Sequence, residues 1–199
     1  MGLRGRSVFG SQGHTFFVTT TVVSHTKVFA TGDQYYGILV GSLKYLLDEH
    51  SAALIAYVLM PSHVHLIIAL PEGESISDLM RDFKKYTSTK IRQQLERDGH
   101  AGLLGILRRS ARRKRNQVFK LWKDRFDDLV IESEETLRVK IEYVQNNPVR
   151  AGLVSNPEDW RYSSARNYLR DDHSILPVAT DWLFGSRGKK RQKASHKGE

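Results

Sequence analysis

The chain has 199 residues, of which 40% are hydrophobic and 27% charged, and its formal net charge is +9. This length suits one domain with its own core, and the absence of cysteine excludes disulfides, thiolate zinc sites and a cysteine nucleophile. No apolar run reaches the about 20 residues that a membrane span needs, and polar residues interrupt the apolar stretch near the N-terminus, so we expect neither a membrane segment nor secretion.

The positive charge is concentrated in two clusters without acidic residues, "RRSARRKR" at 108–115 and "RGKKRQKASHK" at 187–197. Each cluster holds six basic residues, and without these twelve the chain has 19 basic residues against 22 acidic ones, a net charge of −3. Such clusters are typical of surfaces that bind a phosphate backbone; a solvated loop and a disordered tail are the alternative. The residues predicted to bind nucleic acid here are Arg108, Arg109, Arg112, Arg113, Lys114 and Arg115.

The first half of the chain predicts a strand, a helix and a hairpin. Residues 14–23 are rich in β-branched and aromatic residues, which favour a strand. Residues 33–50 have helical apolar spacing after a possible cap at Asp33. Residues 52–60 and 63–70 are two apolar runs separated only by Pro61 and Ser62, which indicates an antiparallel hairpin.

The second half adds helices around one short strand. A helix is predicted over 75–97 with Ser75 as its cap, followed by a basic, flexible or partly helical insertion at about 98–118. A short strand at 128–133 precedes a helix over 134–147 that ends before Pro148, and "RYSSARNYL" predicts a last short helix. The order of elements predicts an α+β sandwich with one antiparallel sheet, with residues 1–186 as one domain and 187–199 as a basic tail.

Two histidines interrupt the apolar strand "HVHLIIAL". Residues i and i+2 of a strand project from the same face, so His63 and His65 point to one side and Val64 to the other. Two imidazoles on one face can share a metal ion. Packing of both rings in the core is the alternative, since short motifs often mislead.

The helix that follows carries a candidate nucleophile. Its apolar stripe ends at Tyr86 and is predicted to face the sheet that carries the histidines. Lys84, Lys85 and Lys90 surround the phenol in sequence, and positive charge favours a phenolate. Tyr86 could therefore attack a phosphorus atom beside a metal held by His63 and His65; core packing of the tyrosine is the alternative.

Four blocks in the chain resemble the REP-associated tyrosine transposases, relatives of the single-tyrosine insertion-sequence transposases of the HUH superfamily. They are "YVLMPSHVHLII", "FKKYT", "LWKDRFDDLVI" and "YVQNNPVRAGLVSNPEDWRYSSARNY", within about residues 14–168. The resemblance implies a ferredoxin-like fold whose central antiparallel sheet has helices on one face, with a C-terminal helical extension and a basic tail. It also implies Mg²⁺ or Mn²⁺, a 5′-phosphotyrosine link to DNA, and a repetitive extragenic palindromic hairpin with adjoining single strand as substrate.

One position departs from this family. Related single-tyrosine transposases place a third metal ligand, Gln or Asn, one helical turn after the tyrosine, and one turn after Tyr86 the chain has Lys90. An ammonium group has no lone pair to donate. We therefore expect Lys90 to favour the Tyr86 phenolate or to contact the scissile phosphate.

The later blocks carry residues that suit DNA binding. Trp122, Lys123 and Arg125 combine an aromatic ring with basic side chains, which can hold an unpaired base and its phosphate; core anchoring is an equal alternative for Trp122. Arg150 is expected on a turn closed by Gly152, within reach of DNA. Lys84 and Lys85 are further expected DNA contacts, whereas Asn146 and Asn147 are expected to cap and turn the chain.

The sequence thus predicts a cytoplasmic, nucleoid-associated DNA strand transferase, a monomer or homodimer without membrane contact. Tyr86 is the predicted nucleophile, with Lys90 assisting it, and His63 and His65 are the predicted metal ligands. Two alternatives stay open: a DNA-hairpin binding protein with impaired catalysis, suggested by Lys90, and a metal-dependent hydrolase in which water attacks. The three classes differ in their products, which are a covalent adduct, intact DNA and two free ends respectively.

Overall fold

A computed structural model describes residues 13–111 and 118–181. The strands are β1 (Gly13–Thr21), β2 (Ala53–Met60), β3 (His63–Pro71) and β4 (Asp127–Ile131). The helices are α1 (Asp33–Glu49), α2 (Ile76–Arg97), α3 (Ala101–Ala111), α4 (Glu134–Arg150) and α5 (Ala165–Arg170), with short 3₁₀ turns at Val23–His25, Val28–Thr31 and Pro157–Asp159. No helix in these ranges is long and apolar enough to cross a membrane.

The four strands form one antiparallel sheet in the order β2-β3-β1-β4. This order is the ferredoxin-like arrangement that the resemblance implied, and the α+β class predicted from the sequence is confirmed. In the β1–β3 register, His65 lies opposite Thr19 and His63 lies opposite Thr21. The histidine pair therefore lies on a central strand, next to the C-terminal end of β1.

Helices cover both faces of the sheet. On one face, Val64, Leu66 and Ile68 of β3 belong to the large core that also contains the buried residues of α1 and α2. On the other face, Ile67 belongs to a second core, formed with Ile141 and Val144 of α4. Because side chains alternate along a strand, His63 and His65 share the face of Ile67 and lie on the α4 side.

Two of the helix ends follow directly from their sequences. Ser75 caps α2 by accepting a hydrogen bond from the Asp78 backbone N–H at 3.3 Å, and Ser133 caps α4 by accepting one from Thr136 at 3.1 Å. Our expectation that Pro148 ends the helix is wrong, because α4 continues through it to Arg150. Proline removes its own N–H bond and crowds the carbonyl four residues earlier, so α4 carries this cost in its last turn.

The remaining differences lie at boundaries. Gly32, not Asp33, holds the cap position of α1, and Asp33 is the first helical residue. The basic insertion begins as a regular helix, α3, which ends at Ala111. The predicted DNA contacts Arg112, Arg113, Lys114 and Arg115 and the predicted tail at 187–199 lie outside the described residues.

Candidate active site

The two histidines of β3 form a compact pair. Their ring centroids are 4.9 Å apart at an interplanar angle of 78°. His65 is only 5% exposed, whereas His63, at the start of the strand, is half-buried. The expected placement of both imidazoles on one face of the sheet is confirmed by their shared position beneath α4.

Both imidazoles are held through Nδ1. The Thr19 hydroxyl lies 2.8 Å from Nδ1 of His65, and the Ser62 hydroxyl lies 3.3 Å from Nδ1 of His63. When Nδ1–H donates to these hydroxyls, Nε2 of each ring carries the free lone pair that a metal ligand needs. Phe17 stacks on His65 at 5.6 Å and further fixes its orientation.

The environment keeps both rings neutral. Burial lowers the pKa of His63, an effect opposed by its hydrogen bond with Asn147 and reinforced by the neighbouring His25. Burial, followed by the positive influence of His63 and Lys140, lowers the pKa of His65 to about 3. Because only a neutral imidazole coordinates a metal, this pair is ready to bind one at neutral pH.

A tyrosine of α4, Tyr143, faces the histidine pair. Its ring centroid lies 5.4 Å from that of His65 and 5.9 Å from that of Phe17, edge-on to both. Tyr143 is half-buried, so its ring packs against its neighbours while part of the side chain is accessible to solvent. One helical turn later, Asn147 lies within hydrogen-bonding reach of His63 and donates from Nδ2 to the Tyr143 carbonyl at 3.4 Å.

Two cations lie beside the Tyr143 ring. The Lys140 ammonium is 5.9 Å from the ring centroid and the Arg150 guanidinium is 5.3 Å from it. Lys140 lies one turn before the tyrosine and Arg150 two turns after it, so both share its face of α4. The expected placement of Arg150 on a turn is wrong, since it is the last residue of the helix, yet the side chain lies at the site.

Tyr86 does not join this site within one chain. It lies on α2, whose buried residues Leu79, Met80 and Phe83 pack with Val64 and Leu66 on the face opposite the histidines. The stripe thus faces the sheet that carries the histidines, as predicted, but it covers the opposite face, so Tyr86 does not approach the histidine pair within one chain. Tyr86 is 50% exposed in a groove between α1 and α2, and the Lys90 ammonium lies 5.6 Å from its ring centroid.

The motifs around Tyr86 and Trp122 hold the core together. Trp122 is 3% exposed, packs against Phe29 and Phe83, and donates from its indole N–H to the Thr87 hydroxyl at 2.9 Å. The core alternative is thus correct for Trp122, which has no free face for a base. The Lys84 ammonium donates to the backbone carbonyls of Lys123 and Asp124 at 2.7 and 2.9 Å, so α2 fixes the loop that follows Trp122.

This loop brings further charge to the edge of the site. Lys123 is exposed, its backbone N–H donates to the Thr21 carbonyl, and its ammonium lies 3.0 Å from Nε2 of His25. Arg125 is exposed two residues later. The other expected DNA contacts lie elsewhere. Lys85 lines the α1–α2 groove. Arg108 and Arg109 lie in the last turn of α3, and Arg108 forms an ion pair with Glu96 at 3.2 Å.

The structure thus places two residues beside the histidine pair to which the sequence interpretation gave no role there. Asn147 was expected to cap and turn the chain, and Tyr143 received no role. The spacing that identifies them is in the sequence, since "YVQNN" places an asparagine one helical turn after a tyrosine. This is the arrangement that the family resemblance required and that Tyr86 with Lys90 did not satisfy.

The donor set fits a divalent metal ion. In residues 13–111 and 118–181 no group of three His, Cys, Asp or Glu side chains could hold a metal. The pair of imidazoles therefore needs a ligand of another type, and the Asn147 amide oxygen beside His63 can supply one. Two neutral nitrogens with one amide oxygen leave positions open for water or for a phosphate oxygen.

Comparisons with known proteins find similarity to transposases. Residues 15–104 match the family described as "Transposase IS200 like". A protein of Haemophilus influenzae, named among the REP-associated tyrosine transposases, is 25% identical over 172 residues, which are 86% of this chain and 89% of that protein. The REP-associated tyrosine transposase of Escherichia coli is 26% identical over 184 residues, covering 88% of this chain and 93% of that protein.

A solved structure shows the same fold. The structure of a REP-associated tyrosine transposase bound to a REP hairpin has a TM-score of 0.59 and 23% identity, and the match covers 89% of each chain. The family match to residues 15–104 includes the histidine pair and ends before α4. The two relatives cover so much of the chain that their matches necessarily extend across α4.

Proposed function

We propose that this chain is a REP-associated tyrosine transposase that cleaves and rejoins DNA with Tyr143 as the attacking nucleophile. The proposal is supported by two relatives that are named as tyrosine transposases. The observation that carries the assignment is the position of Tyr143, 5.4 Å ring to ring from His65 and one helical turn before Asn147. Neither neighbour is available to Tyr86 within the chain.

His63, His65 and Asn147 would hold the divalent ion, for which the family resemblance suggests Mg²⁺ or Mn²⁺. Bound there, the ion would polarise a non-bridging phosphate oxygen and stabilise the charge that develops on it. The protein prepares the ligands for this task. Thr19 and Ser62 orient the two rings through Nδ1, and burial keeps both imidazoles unprotonated.

In the chemical step, the phenol oxygen of Tyr143 forms a bond to phosphorus while the bond from phosphorus to the 3′ oxygen breaks. The electron pair of that bond leaves with the 3′ oxygen, which takes up a proton and becomes a free 3′ hydroxyl, while the phenol loses its proton. The product is a 5′-phosphotyrosine. The phosphodiester that forms and the phosphodiester that breaks have similar free energies. Attack by a different 3′ hydroxyl on the phosphotyrosine therefore rejoins DNA without ATP.

The cations beside Tyr143 suit the charge of the substrate. The phosphodiester that approaches the phenol is anionic, and the cationic groups of Lys140 and Arg150 both lie beside the Tyr143 ring. Positive groups fixed at this position would bind the phosphates next to the scissile one and lower the repulsion between a phenolate and the DNA. Lys123 and Arg125 extend this positive surface at the edge of the sheet.

We further propose hairpin DNA with an adjoining single strand as the substrate. The structural neighbour was solved with a REP hairpin bound, and an unpaired strand gives a tyrosine access to a phosphodiester. The impaired binding protein, suggested only by Lys90 following Tyr86, loses its support because Asn147 follows Tyr143 at the required spacing. No described contact favours water as the nucleophile.

A denaturing gel tests the class of reaction. Wild-type protein and Tyr143→Phe are mixed with end-labelled hairpins from the repeats that flank the native gene, with Mn²⁺ or Mg²⁺. The proposal predicts a slow, protease-sensitive DNA adduct that requires the metal and is missing with Tyr143→Phe. Cleavage without an adduct that persists in the variant would indicate a hydrolase, and binding without cleavage would indicate a binding protein.

A further inference from the structure

A second surface of the molecule has the character of a ligand site. A groove of about 760 Å³ runs between α1 and α2, on the helical face opposite the one that carries the histidine pair. Its lining includes Ser42 and Tyr45 from α1 and Lys85, Tyr86 and Lys90 from α2. The reaction at Tyr143 uses none of these residues.

Two aromatic rings are displayed in this groove. Tyr45 is 66% exposed and Tyr86 is 50% exposed, although most large apolar side chains of the described residues are buried. One helical turn before Tyr45, a side-chain carbon added at Gly41 would meet nothing within 4 Å. The groove is therefore open beside this turn of α1.

A buried polar group also lines the groove. Ser42 is 3% exposed, and its hydroxyl has no hydrogen-bond partner among the described residues. Buried hydroxyl groups are nearly always paired, and a water molecule or a ligand at the groove wall would supply the partner that the described residues do not. A hydroxyl can donate to or accept from the edge of a nucleobase.

The charge of the groove is unevenly distributed. From residue 83 to residue 94, α2 has four basic residues and no acidic one. Two of these basic residues, Lys85 and Lys90, line the groove, where the Lys90 ammonium lies over the Tyr86 ring. Glu49 and Asp82 also line it, and Asp82 is engaged by Arg81 at 3.1 Å. The middle of α2 therefore matches a partner that carries negative charge.

We propose that this groove binds an unpaired segment of DNA, with bases on Tyr45 and Tyr86 and phosphates on Lys85 and Lys90. Exposed aromatic rings next to lysines are the combination that holds single strands without reading their sequence. The inference rests on the proposed function only in taking DNA as the partner. It gives the "FKKYT" block two roles, with Phe83 and Lys84 holding the core and the loop while Lys85 and Tyr86 face the groove.

Fluorescence anisotropy in the presence of chelator tests this site separately from catalysis. The probes are a labelled oligothymidylate of about 20 nucleotides and a blunt duplex of similar length. Tyr45→Ala and Tyr86→Ala should each weaken binding of the single strand about fivefold or more, with little effect on the duplex, whereas Tyr86→Phe retains the ring and should restore affinity. For the double variant Lys85→Gln, Lys90→Gln, the slope of log K for the single strand against log salt concentration should be less steep by about 1.4.

The control for charge is Arg97→Gln, which removes one positive charge from the same helix outside the groove. Single-strand affinities equal to wild type in both tyrosine-to-alanine variants would overturn the proposal. A change in oligomeric state on Tyr86→Ala, with single-strand affinity preserved, would overturn it in favour of a second copy of the chain. Because the assay contains no metal and measures binding only, its result does not depend on whether Tyr143 is the nucleophile.

Discussion

Replacing Thr19 with valine removes the hydrogen bond that orients His65 and keeps nearly the same side-chain shape. The Thr19 hydroxyl lies 2.8 Å from Nδ1 of a ring that is 5% exposed. Leaving that buried nitrogen without a partner should destabilise the fold by about 1 to 3 kcal/mol. The loss of the group that fixes the ring should also weaken metal binding by about 10- to 100-fold.

The neighbouring residue provides a matched control. Thr20 is 1% exposed and lies opposite Val64, on the other face of the sheet, and its hydroxyl has no partner among the described residues. Thr20→Val removes a buried hydroxyl group for which residues 13–111 and 118–181 offer no hydrogen-bond partner. It should therefore leave the free energy of unfolding unchanged or raise it by about 1 kcal/mol, with no effect on metal affinity.

Urea unfolding and calorimetric titration with Mn²⁺ measure the two quantities for both variants. We expect Thr19→Val to have a lower free energy of unfolding and a weaker affinity for Mn²⁺ than Thr20→Val. The difference in Mn²⁺ affinity should persist at temperatures where both variants are fully folded. Equal metal affinity in the two variants would refute the role of Thr19 in orienting a metal ligand.

Three further predictions follow from the site. Asn147→Ala should weaken Mn²⁺ binding by at least about tenfold in calorimetry, with little loss of secondary structure by circular dichroism; unchanged affinity would exclude the amide as a ligand. Lys84→Met should increase hydrogen exchange at the Lys123 amide, because the ammonium no longer holds the carbonyls of Lys123 and Asp124; unchanged exchange would show that the loop is held by other contacts. The pKa of His65 is about 3 in the folded protein and 6.5 ordinarily, so as the pH falls His65 takes up a proton in the unfolded chain before it does so in the folded one. The free energy of unfolding of the metal-free protein should therefore decrease from pH 6.5 towards pH 3. Urea unfolding of His65→Asn should show a smaller decrease over the same range.

The sheet and its central hairpin could be predicted because their patterns are local. Two apolar runs separated by Pro61 and Ser62 leave little choice other than a hairpin, and Ser75 marks the start of α2 three residues before Asp78. Such signals need no knowledge of which elements pack together, and the structure places these boundaries within a few residues of the prediction.

The position of Tyr86 relative to the histidines could not be predicted because it depends on which face of the sheet each helix covers. Both faces of β3 are covered by helices, so Val64 and Leu66 are as buried as Ile67. The apolar run therefore carries no sign of which helix faces the histidines. Strand alternation correctly placed His63 and His65 together, but only the packing of α2 and α4 on opposite faces distinguishes Tyr86 from Tyr143.

Trp122 shows a different limit. A tryptophan between basic residues has the same sequence signature whether it stacks on a base or anchors a core. Its partners decide the matter, and they come from distant parts of the chain: Phe29, Phe83 and the Thr87 hydroxyl. Lys123, next in sequence, is exposed, and its contact with DNA stays a prediction.

Peptide mapping of the covalent adduct tests the central claim most directly. Trypsin cleaves after Lys140 and Arg150 and releases residues 141–150 with Tyr143 as their one tyrosine, whereas Tyr86 is released in residues 86–90. After the reaction with hairpin DNA and Mn²⁺, nuclease and trypsin treatment leave a nucleotide on the peptide that carried the nucleophile. The account predicts this mass on 141–150 and its loss with Tyr143→Phe; the mass on 86–90, lost with Tyr86→Phe, would contradict it.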